Sequence, residues 1–583
     1  MALWYDIDFK SKEEIMKKLT FIYIALLFLL AGCNNSLRQT QQEQLQQSQE
    51  QSEQLEQSEQ SEQSEQSKQS EQSEIQPSAQ TTQQLPLQEG GTLYLSMRNT
   101  TTLNPLLNQD ASVDTILKLI YMPLIKLDQN YKPSPSVAQS WSFDEGGTVL
   151  SLNLRNDIYW QNGTNLTADD VIYSLDTIFR TADSNAVYKN CMNYIRSYRK
   201  TSAYSIEITF HQNFSGNLYA LLFPIISSQY YGSRVANSDK NMLPMGNGYF
   251  EFVSYTPAKE MRLKKCISSF GTTAHIDEIV VNISTDKVTD LYSFEQGLTD
   301  ILVMGSSDIG KSDNDNEIKY YQYTTNYYDF IGFNFSKNLF QDSNVRKAIA
   351  SITPKQAILE SIYLGHGIVA QTPINTNYWF YEPETTSYDF NISQAREYLE
   401  ASNWKDTNDD GILDRTTNEL SETFRISILY NTENEIRKQI AIRIADELRG
   451  IGAEVSLDGQ SYENYVQKLQ SGDFDLFVGG WQFSVVPNYS FLLHSAQSSL
   501  TNYARYQNGD MDALLAAAYN SVKEEDIKMA YSNLQKKIAE ELPYVSIAFR
   551  NFVMLSSDRI QGQVKPLENN IFDNINEWYL YEQ

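Results

Sequence analysis

Cysteine is scarce in this chain of 583 residues, which contains only three. Cys33 stands near the amino end, and Cys191 and Cys266 are far apart in the remainder. This spacing fits neither a zinc site nor a disulfide-rich scaffold. A chain of this size does not need disulfides, so we expect Cys191 and Cys266 to be free thiols, although the sequence leaves open whether they pair.

Histidine is almost as scarce, with four residues that are isolated in sequence. The H-E-x-x-H, G-x-S-x-G and Walker A motifs are absent as well. Carboxylates are plentiful, but no pair can be assigned as a general acid and base. We therefore expect a protein that is not an enzyme and that needs no cofactor or metal. A secreted, anchored hydrolase is the remote alternative.

Basic residues are outnumbered, with 46 Lys and Arg against 73 Asp and Glu, for a formal net charge of −27. An acidic surface of this kind disfavours nucleic acids and anionic lipid head groups as partners. Tyrosine, in contrast, is abundant at 38 residues. Clefts rich in tyrosine suit ligands that need both apolar contact and a hydroxyl partner.

A hydrophobic run long enough to span a membrane is also missing. Lys17 and Lys18 precede a short, mostly apolar stretch at 19–30, and small residues then lead to Cys33. This stretch is too short for the ~30 Å hydrocarbon layer, which takes about 20 helical residues. The pattern is similar to a bacterial lipoprotein signal. Residues 1–33 are thus predicted to be a signal peptide, in which Met16 is the expected start of translation and Cys33 is the lipidated residue.

Two regions of different composition follow the predicted signal peptide. Residues 34–89 are rich in Gln, Ser and Glu and have too little apolar surface to offset the entropy of ordering, which predicts a disordered tether. The remaining residues are too many for one hydrophobic core and predict two or three domains.

The most informative stretch is 132–175. Residues 148–154 alternate between apolar and polar side chains, as in a half-buried strand. Thr167 precedes Ala168 and two aspartates, which predicts a capped helix that begins near Ala168. The order of these elements, A-x-S-W, a strand ending in Leu-Arg, then W-x-N-G-x-x-L-T-A-D-D-V, resembles the family 5 solute-binding proteins of ABC importers.

Two further elements carry the same resemblance. Gly-Asn-Gly-Tyr at 246–249 is similar to the family's G-x-G-x-Y element, and V-R-x-A-I at 345–349 is similar to the helix that opens its second lobe. The resemblance implies an α/β, two-lobe, periplasmic-binding-protein-like fold of type II, with an inserted subdomain in lobe I and a hinge of two crossing strands. On that analogy lobe I comprises 90–129, 240–326 and 546–583, the inserted subdomain 130–239, and lobe II 327–545.

The resemblance also implies a function. Members of the family capture peptides, metal chelates or sugars by closing two lobes and pass them to ABC permease and ATPase subunits. We therefore expect a monomeric, lipid-anchored peptide-binding protein on the outer face of the bacterial cell membrane, periplasmic in a Gram-negative cell. The same fold could instead bind a non-peptide solute, or a peptide pheromone for signalling.

The residues that match the family's ligand cleft lie in three places. We expect ligand contacts from Gln109, Asp110, Ala111, Tyr328, Gly480, Trp481, Gln482, Phe483 and Ser484. In peptide-binding relatives the third residue after the tryptophan is typically an aspartate that pairs with the ligand's α-amino group, and here it is Ser484. A serine cannot neutralise an ammonium group, so Asp110 is the candidate substitute.

An acidic segment at 406–414 resembles the first half of an EF-hand calcium loop. The twelfth position is Thr417 rather than a bidentate carboxylate. A turn stabilised by aspartate side chains and a glycine is therefore the preferred interpretation, with calcium binding left open.

Overall fold

The computed structural model describes residues 89–181, 188, 190–233, 235–266, 272–305, 318–417, 420–498 and 500–581. The predicted signal peptide, the predicted lipid anchor Cys33 and nearly all of the predicted tether lie outside the described residues. Within the described ranges, no helix has both the length and the apolar character that a membrane span requires.

Helices and strands are interspersed along the chain. In order they are β1 (Thr92–Arg98), α1 (Ala111–Leu117), β2 (Ile125–Leu127), β3 (Pro133–Pro135), β4 (Ala138–Phe143), β5 (Val149–Leu154), α2 (Ala168–Thr181), α3 (Asn190–Tyr194), β6 (Ile195–Ser202), β7 (Ser205–Phe210), α4 (Ser228–Tyr231), β8 (Phe250–Thr256), β9 (Glu260–Lys265), β10 (Glu278–Ser284), α5 (Lys287–Glu295), β11 (Ile301–Met304), β12 (Ile318–Phe333), α6 (Asn338–Gln341), α7 (Ser343–Ser351), α8 (Lys355–Ser361), β13 (Gly367–Val369), α9 (Ile392–Ala401), β14 (Asp414–Thr417), β15 (Leu420–Thr423), β16 (Arg425–Asn431), α10 (Glu435–Gly450), β17 (Glu454–Gln460), α11 (Tyr462–Ser471), β18 (Leu476–Gln482), α12 (Ser490–Leu493), α13 (Gly509–Asn520), α14 (Glu524–Glu541), β19 (Tyr544–Ser557), β20 (Ile560–Gly562) and β21 (Trp578–Leu580).

Two sheets are built from the first half of the chain. The first has the order β1-β10-β9-β8, in which β1 and β10 are parallel neighbours. The second has the order β4-β5-β7-β6 and is antiparallel throughout. Since the second sheet lies wholly between β1 and β8 in sequence, it is an excursion from the first. The predicted strand at 148–154 and the predicted helix near Ala168 are confirmed as β5 and α2.

The largest sheet has seven strands in the order β11-β19-β12-β18-β16-β17, with β13 paired to β19 beside this path. β16 is parallel to both β17 and β18, and α10 connects β16 to β17 as a crossover helix. Buried residues on one side of α10, such as Ile440, Ile444 and Leu448, pack into the core beside this sheet.

Two large hydrophobic cores divide the described residues. One is formed almost entirely by residues between 328 and 549, and the other by residues from 93 to 301 together with 554–580. The paired strands β12 and β19 run from one core to the other. Their pairing shifts register between Thr324 and Tyr328 and again between Asp329 and Phe330. The predicted lobe boundaries remain a proposal, which this division of the cores favours.

Candidate ligand-binding cavity

A cavity of about 470 Å³ lies where the two cores meet. Most of its wall belongs to the core that contains β1, and one short segment, Ser484–Val486, comes from the loop after β18. The lining residues are drawn from 105–126, 135–155, 188–191, 219–224, 248–249, 484–486 and 569–575. A molecule in this cavity would therefore contact both halves of the protein.

A glycine turn supports one wall of the cavity. The backbone N–H groups of Asn247 and Gly248 donate to the carbonyl oxygen of Ile120 at 3.1 and 2.8 Å. A Cβ at Gly248 would lie 2.8 Å from the Leu119 carbonyl oxygen, and a Cβ at Gly246 would overlap the Ile120 carbonyl group. Only glycine permits this close approach, which places Gly248 and Tyr249 on the wall.

The charged side chains on the same wall are paired. Lys118 binds Asp114 at 2.8 Å, and Lys126 binds Asp573 at 3.2 Å. Arg155, which also lines the cavity, binds Asp157 at 2.6 Å. These groups present donors and acceptors to a ligand without leaving an isolated charge on this wall.

Buried polar groups complete the wall. The free thiol of Cys191 donates to the Ala220 carbonyl oxygen at 2.9 Å, and burial raises the pKa of this thiol to about 12, so it stays protonated at neutral pH. Cys266 forms no disulfide bond with Cys191, in agreement with the expectation that the two cysteines do not pair. The Asn569 side-chain oxygen is buried, and no donor among the described residues reaches it. It is a buried acceptor beside the cavity.

The structure brings only one of the predicted ligand residues to the cavity wall, Ser484. Asp110 caps α1 instead: its Oδ1 accepts from the backbone N–H groups of Ser112 and Val113 at 2.8 and 3.1 Å. Gln109 and Ala111 flank this cap and do not line the cavity. The helix that Asp110 caps contributes Asp114 and Leu117 to the wall.

Tyr328 lies inside a core rather than on the cavity wall that the sequence predicted. It is 1% exposed, and its hydroxyl group is 2.7 Å from that of Ser546. Its ring stacks on Phe330, because alternate residues of β12 point to the same side of the sheet.

Residues 480–483 also lie off the cavity wall. Trp481 and Phe483 are half-buried against Phe491, with ring centroids 5.2 and 5.9 Å from it. Gln482 is exposed, and the carbonyl oxygen of Gly480 accepts from Arg437 at 3.4 Å. The two aromatic residues therefore extend the core toward the loop that carries Ser484.

The acidic segment at 406–414 forms a turn. The Asp406 carboxylate accepts from the backbone N–H groups of Asn408, Asp410 and Gly411 at 3.3, 3.2 and 2.9 Å. The carboxylate oxygens of Asp406 thus accept hydrogen bonds from the backbone, as expected for a turn stabilised by aspartate side chains. Across the described ranges, no group of three or more His, Cys, Asp or Glu is arranged to hold a metal ion.

The family model described as bacterial extracellular solute-binding proteins, family 5 Middle, matches residues 132–528. The chain belongs to this family. The resemblance inferred from 132–175 is thereby confirmed, together with the two-lobe α/β fold that it implied. Family 5 solute-binding proteins are binding proteins rather than enzymes.

Individual relatives agree with this membership. Oligopeptide-binding protein AppA of Bacillus subtilis (strain 168) is 25% identical over 517 residues, which cover 86% of this chain and 94% of AppA. The structure of AppA in complex with a nonapeptide has a TM-score of 0.55 and 24% identity, and the match covers 85% of this chain and 100% of that one. Heme-binding protein A of Haemophilus influenzae is 23% identical over 460 residues, which cover 74% of this chain and 81% of that protein.

One further residue of this family 5 protein lies beside the cavity, and sequence reasoning missed it. Glu568 directly precedes the cavity residues Asn569 and Asn570. Its carboxylate accepts from the Asn326 backbone N–H at 2.9 Å, and burial raises its pKa from 4.5 to about 7. The local sequence, Leu-Glu-Asn-Asn, carries no motif that could have identified it.

Proposed function

We propose that this protein is the lipid-anchored, extracellular substrate-binding component of an ABC importer and that its ligand is a peptide. The observation that carries the proposal is a cavity between two cores in a family 5 solute-binding protein. The peptide assignment is supported by similarity to the oligopeptide-binding protein AppA along most of both chains.

The cavity chemistry suits an extended peptide. Apolar side chains such as Leu117 and Phe223 lie on the wall beside the ion pairs that Lys118 and Lys126 form. A peptide backbone offers both donors and acceptors, and its variable side chains need only apolar or wet surroundings. A ligand that contacts Ser484 as well as the opposite wall stabilises the closed arrangement of the lobes over the open one.

Native mass spectrometry of the protein purified without denaturation tests the ligand class. We expect a co-purified peptide, or a mass shift when a randomised peptide pool is added, and a matching rise in melting temperature. A protein that carries a sugar or a metal chelate and ignores peptides would overturn the peptide assignment and leave the family membership intact.

Haem is a second candidate ligand, favoured by the similarity to heme-binding protein A. Titration with haem, followed by its absorbance spectrum, distinguishes the two. A spectral change that saturates at one haem per chain would favour haem. An unchanged spectrum together with a response to peptides favours the peptide.

The anchor is tested separately. Cys33→Ser removes the thiol that would receive the lipid, so we expect the variant to appear in the growth medium and to lose incorporation of labelled fatty acid. Import of labelled peptide by cells that contain or lack the neighbouring permease genes then separates uptake from a signalling role. A variant that stays in the membrane fraction would contradict lipidation at Cys33.

A further inference from the structure

Four aromatic side chains close one side of the cavity. Tyr219 lines the cavity, and its hydroxyl group donates to the Tyr131 carbonyl oxygen at 2.9 Å and accepts from the Trp379 indole N–H at 3.2 Å. The Tyr131 ring stacks on that of Tyr378, with centroids 5.1 Å apart. The Tyr378 hydroxyl donates to the carbonyl oxygen of Val485, a second cavity residue, at 3.0 Å. We call Tyr131, Tyr219, Tyr378 and Trp379 the aromatic barrier.

The aromatic barrier joins the two halves of the protein. Two of its residues precede β12, and the other two lie between β12 and β19. Away from the cavity the halves also touch directly. The Phe214 ring stacks on that of Tyr519 with centroids 4.1 Å apart, and the Ser215 backbone N–H donates to the Tyr519 carbonyl oxygen at 2.8 Å. Side chains therefore fill the space between the halves on this side, and a ligand does not extend past Tyr219 while these contacts hold.

The loop that the second half contributes to the cavity is fixed as well. Val485 is held by Tyr378, and Val486 packs against the other half at Gly216, where a Cβ would lie 2.9 Å from Val486 Cγ1. The three tyrosines of the aromatic barrier are 1–5% exposed. The cavity consequently has a fixed boundary on this side in the closed arrangement of the lobes.

The volume of the cavity sets the length of peptide that fits. In packed sheets a residue takes up ~3.3 Å along the strand, ~4.8 Å between strands and ~10 Å between layers, which is roughly 160 Å³. The cavity of about 470 Å³ therefore holds about three residues of an extended peptide. A fourth residue fits only if the aromatic barrier separates, which breaks the hydrogen bonds of Tyr219 and exposes buried rings.

We propose that the ligand is a peptide of two or three residues and that Tyr219 sets this limit. The inference rests on the peptide-binding function proposed above. A dipeptide or tripeptide fits inside the cavity and contacts both halves, so it stabilises the closed arrangement. A longer peptide keeps the halves apart or breaks the barrier, and it binds more weakly for that reason. Tyr219 is the specificity-determining residue because it is the member of the barrier that lines the cavity.

Native mass spectrometry tests the length directly. The protein is mixed with randomised peptide pools of two, three, four, six and nine residues at equal concentration, and the mass of the bound peptide is read from the complex. The wild type is compared with Tyr219→Ala, which removes the ring, and with Tyr219→Phe, which keeps the ring and removes only the hydroxyl group. Melting temperatures show which variants are folded. Tyr219→Leu, which stays apolar but is shorter, replaces the alanine variant if that one does not fold.

For the wild type we expect at least tenfold more bound peptide of two or three residues than of six or nine. Tyr219→Phe should keep this limit, and Tyr219→Ala should bind peptides of four residues at least tenfold better than the wild type does. A wild-type protein that binds nine residues as well as three overturns the length limit and leaves the peptide function standing. A folded variant without the ring that keeps the wild-type limit overturns the role of Tyr219. A wild-type protein that binds none of the pools overturns the peptide function and this inference with it.

Discussion

The ion pair between Asp329 and Arg550 joins the two hinge strands inside the protein. The Arg550 guanidinium group donates to both carboxylate oxygens of Asp329 at 2.6 and 2.8 Å, and the Tyr363 hydroxyl donates a third hydrogen bond at 2.8 Å. The side chains of Asp329 and Arg550 are 2% and 19% exposed. We predict that Asp329→Asn destabilises the protein far more than an ordinary polar substitution.

The expected loss of stability follows from the groups that remain after the substitution. The asparagine has the same shape, but its amide group turns N–H donors toward the N–H donors of Arg550 and leaves a buried guanidinium charge uncompensated. Breaking a buried pair in this way costs about 3–5 kcal/mol. Because the damage comes from the remaining charge, Asp329→Asn/Arg550→Met should recover part of the loss.

Urea unfolding, followed by tryptophan fluorescence, measures these free energies from the midpoint and slope of the transition. Glu207→Gln is the matched control, since Arg199 also donates to both oxygens of Glu207, at 2.7 and 2.8 Å, but on an exposed strand pair. Its midpoint should stay unchanged. The reasoning is refuted if Asp329→Asn loses less than about 1 kcal/mol, or if the double variant is no more stable than the single one.

Three other substitutions test separate parts of the account. Burial raises the pKa of Glu568 from 4.5 to about 7, so its contribution to stability is present below pH 4.5 and is lost as pH rises to 7. In chemical unfolding, Glu568→Gln should be as stable as the wild type at pH 4 and more stable at pH 8, by at most about 3 kcal/mol. An equal difference in stability at both pH values would contradict this. The new methyl group of Gly246→Ala would overlap the Ile120 carbonyl group, so this variant should lose about 2 kcal/mol or more of stability in the same assay. Gly163→Ala is the control: its methyl group meets no atom within 4 Å, so it measures only the stability lost to the positive φ of 81°. Trp481→Ala should lower stability by about 2 kcal/mol through lost contact with Phe491; unchanged melting with weakened peptide binding would instead support the ligand-binding role predicted from the sequence.

Features encoded over short distances were predictable. The alternation at 148–154 became β5, and the helical element at 345–349 became part of α7. The cap formed by Asp110 was also within reach, because aspartate is one of the residues that most often cap the start of a helix. Its predicted role in ligand binding came from the resemblance and not from this local signal.

Features encoded over long distances were not predictable from one sequence. Glu568 meets Asn326 across 242 positions, and Asp329 meets Arg550 across 221. No periodicity or spacing links residues so far apart. The pairing of β12 with β19 brings Asp329 to Arg550, and the segment after β20 brings Glu568 to Asn326. Tyr328 lies in the core for a related reason, because the side of the sheet that the tyrosines of β12 face depends on the register with β18 and β19.

The first interruption in the β12–β19 pairing includes Asn326, whose amide group donates to Glu568 and whose carbonyl oxygen accepts from Phe483, which continues the register of β12 with β18. A pair of hinge strands bends most easily where the hydrogen bonds between the strands are interrupted, so we expect the hinge to bend at this peptide unit. The same unit touches both segments that border the cargo space. Bending at this peptide unit and ligand binding are consequently coupled through two hydrogen bonds. A substitution that weakens either bond should change both the ligand affinity and the angle between the open lobes.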